Sequence, residues 1–452
     1  MKIIFTFLLL ICCLMAQSQN MILLSGKVTF AEDESPVPFG YIKLDGLALG
    51  TVTDAAGNFK LKLENQYKDE TLVFTYLGYE AQRLKISAID DPLNISIKLE
   101  ETTTLLKEAV VTKKKKLDPL KILKKALNKV EDNYHTDPVM FDAYYRETVK
   151  ENDAPIMFAD AACQFYYAGY KTGQYKWKEY EWGKTFNLNS TLSGFSNFGG
   201  NRLHRYHFES KTLKEDQVKI EEARASSNLS KTRLYASIEG GPMGLLGKDR
   251  VKFKAYFLND VKHFNYSMHE TLEDDGKWYY LVSFESAIDT ARVFGKSRKR
   301  SWKMSKLRPF LMSGKVWIDE ESMAITKISY SIPNHLKQYV CGFRGNNIRH
   351  FDYKVDIEYA KVDDRYIVDY IRQEDEFIFH DTISDNTIPY RAVSEIHIKN
   401  FDTKTVQKFD KDEIFVNSDA NQLFNYPLTY DGKFWDDYQN KFPQSIIDGD
   451  IR

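Results

Sequence analysis

From Phe141 onward the chain repeats one pattern, short runs of alternating apolar and polar residues separated by acidic or glycine-bearing turns. Val251–Phe257, Trp278–Phe284, Gly314–Ile318, Ala324–Ile332, Val355–Tyr359, Ile367–Ile371 and Val393–Ile398 all read as strands. Asp274-Asp275-Gly276 and Asp319-Glu320-Glu321 read as turns. A period of two sends successive side chains to opposite faces, so such runs need a sheet with one covered face. Aromatic residues make up 14% of the chain, which suits a pleated surface. No alternation of strands with helices appears, so the sheet is expected to be antiparallel.

One segment breaks the pattern. Asp118-Pro119 opens a helix, because Asp can accept from free N–H groups and proline at the first position loses no hydrogen bond. Leu120, Leu123, Ala126, Leu127 and Val130 then recur at helical spacing, opposite Lys121, Lys124, Lys125 and Lys129. This apolar stripe needs the following sheet as its cover.

The first residues point to export. Lys2 precedes the apolar run Ile3–Met15, and Ala16-Gln17-Ser18 places small residues at a cleavage site. The run is shorter than the ~20 residues of a spanning helix. Residues 1–18 therefore read as a cleaved signal peptide and the mature protein as periplasmic or outer-membrane associated. The near-neutral charge, −1 for the whole chain, offers no field for nucleic acid. Cys163 and Cys341 either pair in an oxidising compartment or stand as separate buried thiols.

Residues 22–100 form a series of short strands. Phe59, Leu61 and Leu63 alternate with Lys60 and Lys62, and Ile95, Ile97 and Leu99 alternate with Ser96 and Lys98. Ser25-Gly26-Lys27-Val28, the run Gly50–Phe59 and the run Phe74–Glu80 together resemble the carboxypeptidase-regulatory-like domain. That resemblance implies a transthyretin-like β-sandwich of the kind found at the N-terminus of Bacteroidetes-type envelope proteins. Leu106–Thr112 resembles the segment that follows this domain in TonB-dependent outer-membrane receptors. The remaining chain is too short for such a receptor's plug and barrel. Gly314–Asp319 followed by Met323–Ile328 resembles a hairpin of lipoprotein-carrier folds, which implies a sheet wrapped around helices and holding acyl chains.

The expected architecture is mainly β: an N-terminal transthyretin-like β-sandwich (22–100), a linker (101–117), and residues 118–452 as one amphipathic helix with a large antiparallel curved-sheet domain. Lys113–Lys116 in the linker reads as a solvated connector, with anionic lipid headgroups as the sharper alternative. The density of charge in Lys354, Asp356, Glu358, Lys361, Asp363 and Asp364 favours a sheet over a membrane barrel.

No catalytic motif is complete in the sequence. None of the nine histidines is followed three residues later by Glu, as a zinc carboxypeptidase requires. Gly194-Phe195-Ser196-Asn197-Phe198 misses the nucleophile-elbow pattern at its last position. Gly240–Gly247 lacks the Lys-Ser/Thr ending of a phosphate loop and reads as a mobile apolar loop, either a lid or a plain connection. His204 and His207 lack a third ligand, so neither metal nor cofactor is expected.

Two clusters remain as candidate ligand-binding sites. The first is the aromatic run from Phe165, Tyr166, Tyr167 and Tyr170 to Tyr175, Trp177, Tyr180 and Trp182, whose flat faces suit sugars or acyl chains but also suit packing under a helix. The second is Arg298, Arg300 and Trp302 amid further lysines and arginines, suited to lipid phosphates or to plain exposure. The expected function is a non-catalytic envelope binding or scaffold protein, carrying a lipid or glycolipid or joining an outer-membrane complex. The alternatives are an envelope hydrolase of glycans or peptides and an accessory of a TonB-dependent importer.

Overall fold

The computed structural model describes residues 21–37, 40–45, 50–53, 56–76, 79–100, 117–152, 154–171, 216–227, 241–253, 256–258, 261–274, 277–290, 310–336, 348–381, 386–414 and 434. The chain divides into two compact units, 1–104 with 432–443, and 105–431 with 444–452.

In the first unit the alternation read from the sequence becomes a sandwich. Strands β1 (Met21–Phe30), β4 (Asn58–Glu64) and β7 (Ile95–Leu99) form one sheet in the order β4-β1-β7. Strands β2 (Tyr41–Leu44), β3 (Gly50–Val52), β5 (Thr71–Thr75) and β6 (Gln82–Lys85) form the other, in the order β3-β2-β5-β6. Phe59, Leu61 and Leu63 turn inward and Lys60 and Lys62 outward. Leu24, Val28, Ile42, Leu72 and Phe74 complete the core between the sheets. Among the described strand pairs of this unit, only β1–β7 is parallel. Gly26 sits on it so closely that a Cβ would lie 1.9 Å from the Ile95 carbonyl oxygen.

Among the described residues the second unit is built on a ten-stranded antiparallel sheet. Its strands are β8 (Val139–Glu151), β9 (Ala154–Tyr167), β10 (Gln217–Ser227), β11 (Phe264–Asp274), β12 (Lys277–Ser286), β13 (Ser313–Asp319), β14 (Ile325–Ser331), β15 (Ile348–Val362), β16 (Arg365–Asp381) and β17 (Asn386–Asp402). The order is β10-β9-β8-β17-β16-β15-β14-β13-β12-β11. Two meanders therefore meet where the first strand, β8, pairs with the last, β17. The hairpin read at Gly314–Ile328 is β13–β14.

Helix α1 (Pro119–Asn128) begins as its sequence requires. Asp118 Oδ1 accepts from the N–H groups of Leu120 at 3.0 Å and Lys121 at 3.4 Å. Leu123 and Ala126 are buried, α1 lies against β11 and β12, and the short α2 (Val130–Asn133) lies against β16. Among the described residues no helix is long and apolar enough to cross a membrane.

Two local expectations are corrected. Val251–Phe257, read as a strand, begins with helix α4 (Arg250–Phe253) and ends in a 3-10 turn at Tyr256–Leu258. The glycine-rich run, read as a mobile loop, is helix α3 (Gly241–Leu246), with Met243, Leu245 and Leu246 buried. Both departures have one cause. The chain leaves β10 at one edge of the order and must reach β11 at the other, so this connection crosses a face of the sheet. A backbone buried there has no strand partner, and helical turns satisfy its N–H and C=O groups internally.

Candidate functional site

Register divides the large sheet's side chains into two faces. Tyr145, Glu147, Ile371, Gln373, Val355, Ile357, Ile328 and Tyr330 share one face, called here the helix face. Arg146, Glu395, Arg372, Asp356 and Glu374 share the other, the ladder face.

On the helix face the crossing segment is pinned by Asp249, which is 0% exposed. Its Oδ2 accepts from the hydroxyls of Tyr167 at 2.7 Å and Tyr170 at 2.6 Å, and its Oδ1 from Tyr359 at 2.7 Å. Oδ1 also accepts from the backbone N–H groups of Val251 at 3.1 Å and Lys252 at 3.2 Å, which caps α4. Burial, reinforced by the Asp249 charge, holds the three phenols well above their usual range, so they remain donors. Tyr134 packs tilted against Tyr170 and edge-on against Tyr359, and donates to the Ile325 carbonyl. Arg250 Nε donates to the Tyr330 hydroxyl at 2.8 Å. Lys252 Nζ lies 2.7 and 2.9 Å from the two oxygens of Asp216, both side chains fully buried. Described protein therefore occupies the centre of this face.

The ladder face carries a transverse row of alternating charge: Asp160 on β9, Arg146 on β8, Glu395 on β17, Arg372 on β16 and Asp356 on β15. Tyr144 donates to Asp160 at 2.7 Å and accepts from Arg146 Nε at 2.9 Å. Arg372 pairs with Glu395 and, at 3.0 Å, with Glu374. Arg391 Nε donates to Glu374 at 2.6 Å, and Lys354 pairs with Asp356 at 3.2 Å. Burial pushes the Glu395 carboxyl up, but Arg372, His397 and Arg146 outweigh it and hold the group well below the usual range. Burial pushes His397 below its ordinary value, so it is neutral at pH 7.

At the end of this row lies a half-open depression of about 370 Å³. Ser331, Asn334, Asp352, Lys354, Glu374 and Glu376 line it, with Ile332 and Pro333. Carboxylates accept, lysine and asparagine donate, and the hydroxyl does both. Such a lining can hold hydroxyl or amine groups, with Ile332 and Pro333 available to a carbon skeleton. Among the described residues no cluster of His, Cys, Asp and Glu is placed to hold a metal.

The seven ligand-binding residues expected from the sequence, Tyr175, Trp177, Tyr180, Trp182, Arg298, Arg300 and Trp302, lie outside the described residues, as do His204, His207 and Cys341. The beginning of the aromatic run is described. Phe165, Tyr166, Tyr167 and Tyr170 are buried, the last two on Asp249. Cys163 is a free, buried thiol. Sequence reading missed the ladder, although part of its signal was present: charged residues at every second position in 352–358 and 372–376, with Arg391 and Glu395 four residues apart.

Residues 24–111 match the family model described as the CarboxypepD_reg-like domain. The N-terminal unit carries a CarboxypepD_reg-like domain. Gly26, against Ile95, and Gly57, at φ +78°, fall in the runs that suggested it, and both are needed by the backbone. The chain is 36% identical over 111 residues to TonB-dependent receptor P3 of Formosa agariphila. That stretch is 24% of this chain, which spans only 10% of the receptor's length. Among solved structures, a DUF1329 family protein from Desulfovibrio piger gives a TM-score of 0.26 at 9% identity, covering 65% of this chain and 96% of its own. A putative outer membrane lipoprotein-sorting protein domain from Vibrio parahaemolyticus gives 0.25 at 6%, covering 64% and 95%. A LolA superfamily protein from Nitrosomonas europaea gives 0.21 at 10%, covering 65% and 98%. At scores this low no function passes from those proteins to this chain. With so small a share of either chain matched, the receptor's function is not carried over to this chain.

Proposed function

We propose that the protein is exported to the cell envelope and works there as a binding protein without a reaction of its own, holding the hydroxyl- or amine-rich headgroup of a glycolipid. The observation that carries this reading is the depression on the ladder face, where acceptors and donors converge beside an apolar edge. The helix face is less suited, because α3, α4 and the tyrosines on Asp249 fill the described part of it. Export is supported by Lys2 and the apolar run Ile3–Met15, and an envelope setting by the stretch similar to a TonB-dependent receptor.

Native mass spectrometry followed by lipid extraction, on the mature protein from an envelope fraction, tests the reading. A bound glycolipid is expected, with affinity lowered about tenfold, or about 1.4 kcal/mol, in the Asn334→Ala/Glu376→Gln double variant. Binding that the double variant leaves intact would rule out this depression. The 36% identity to the receptor favours one second reading, an accessory of a TonB-dependent importer. Capture of such an importer by a protein that carries no lipid would establish it.

A further inference from the structure

We propose that Lys252 and Asp216 are the two halves of an intramolecular amide cross-link, which ties α4 to the residue before β10. Lys252 Nζ stands 2.7 Å from Asp216 Oδ1 and 2.9 Å from Oδ2. Those distances place the carboxyl carbon within the roughly 3–3.5 Å of a near-attack geometry. The amine faces both oxygens, so the carboxyl must turn about its Cβ–Cγ bond to present its face to Nζ. The Ala168 N–H donates to Oδ1 at 2.7 Å, which anchors and polarises the oxygen that stays as the carbonyl. The Tyr167 ring lies under the amine, 3.2 Å from Nζ to its centroid, and its hydroxyl is held by Asp249. Amine, carboxyl and ring are thus each held from an independent direction.

Burial supplies the chemical bias. Both side chains have zero exposure, and a charged pair so placed loses its hydration. Burial, opposed by Lys252 and aided by the Asp249 charge, moves the Asp216 carboxyl upward, toward the neutral acid. One proton passing from the ammonium to the carboxylate gives a neutral amine and a neutral acid, the pair that can condense. Nζ attacks Cγ, the Nζ–Cγ bond forms, and the bond from Cγ to Oδ2 breaks. Oδ2 departs as water, carrying the acid proton and one amine proton. No oxidant, reductant or cofactor is needed. The product is a neutral amide in a water-excluded site, where hydrolysis lacks its reagent.

The test is peptide mapping of the full mature protein, denatured and digested with trypsin. A branched peptide joining 215–219 to 251–254 is expected, lighter by one water than its two linear parts and uncut at Lys252. Lys252→Arg must abolish it, and Asp216→Asn is expected to form the same branch with loss of ammonia. If that variant or the arginine variant fails to fold, the wild-type map decides alone. Linear peptides cut after Lys252, with its amine open to labelling once the protein is denatured, would overturn the proposal. None of these outcomes depends on whether a glycolipid is bound.

Discussion

Asp249 gathers five hydrogen bonds on one buried carboxylate. Its two oxygens receive three phenols and two backbone N–H groups with no surface exposed. Asparagine has the same shape but one acceptor oxygen and no charge, so it must leave donors unsatisfied. Asp249→Asn is expected to cost about 3 kcal/mol, on the scale of losing charge-assisted hydrogen bonds in a buried site. A lowered urea midpoint with unchanged far-ultraviolet circular dichroism in water would bear this out. The ladder makes a different prediction. His397 has a depressed folded pKa, so stability is lost as pH falls below the unfolded value of about 6.5, where the unfolded chain takes the proton first. Glu395 is also depressed, so its contribution is present above about pH 4.3 and disappears as pH falls further toward its folded value. Urea midpoints should therefore decline in two stages on acidification. His397→Gln should flatten the upper stage alone, and an unchanged profile would remove His397 from this account.

Among the elements, the strands form where the two-residue period is clean, and the crossing segment departs from it. Val251-Lys252-Phe253-Lys254 alternates as a strand would, yet α4 forms because Asp249 caps it and no neighbouring strand is available. Tertiary position overrides local pattern in such a case. The β1–β7 pair shows the reverse, a local choice imposed by a distant strand. A Cβ on Gly26 would meet the Ile95 carbonyl oxygen and carbon, so the backbones must part to admit it. Gly26→Ala is expected to destabilise the first unit by about 1–3 kcal/mol, the range for overpacking. Hydrogen exchange of the β1 and β7 amides would detect it as faster opening there, with β8–β17 unaffected.

Across the whole molecule the decisive contact is the pairing of β8 with β17, strands that stand at opposite ends of the large sheet's sequence and side by side near its middle. Removing β17 therefore takes away a strand bonded on both sides, along with His397 and with Glu395, the cross-strand partner of Arg146. A chain from which only Asn386–Asp402 is deleted is expected to lose the native signature of the large unit while the N-terminal sandwich, with its own core, keeps its hydrogen-exchange protection. Simple fraying of an edge in that chain would contradict the topology.

Much of this was readable beforehand. The period-two runs specified the strands, the runs around Gly26 and Gly57 the CarboxypepD_reg-like domain, and Asp118-Pro119 the start of α1, because each depends on neighbours within a few residues. The aromatic run was readable as packing only as far as Tyr170, and the binding residues chosen from composition fall beyond the described part of the chain. Composition records which side chains are available and not what they face. The sequence by itself determined the kinds of element, their faces and the sandwich at the N-terminus. Only the tertiary structure decided that β17 lies against β8, that a lysine- and arginine-bearing segment is buried across the sheet, and that opposite charges on five strands align into a ladder. Those outcomes depend on register and on pairs far apart in the chain, and a local pattern cannot encode either.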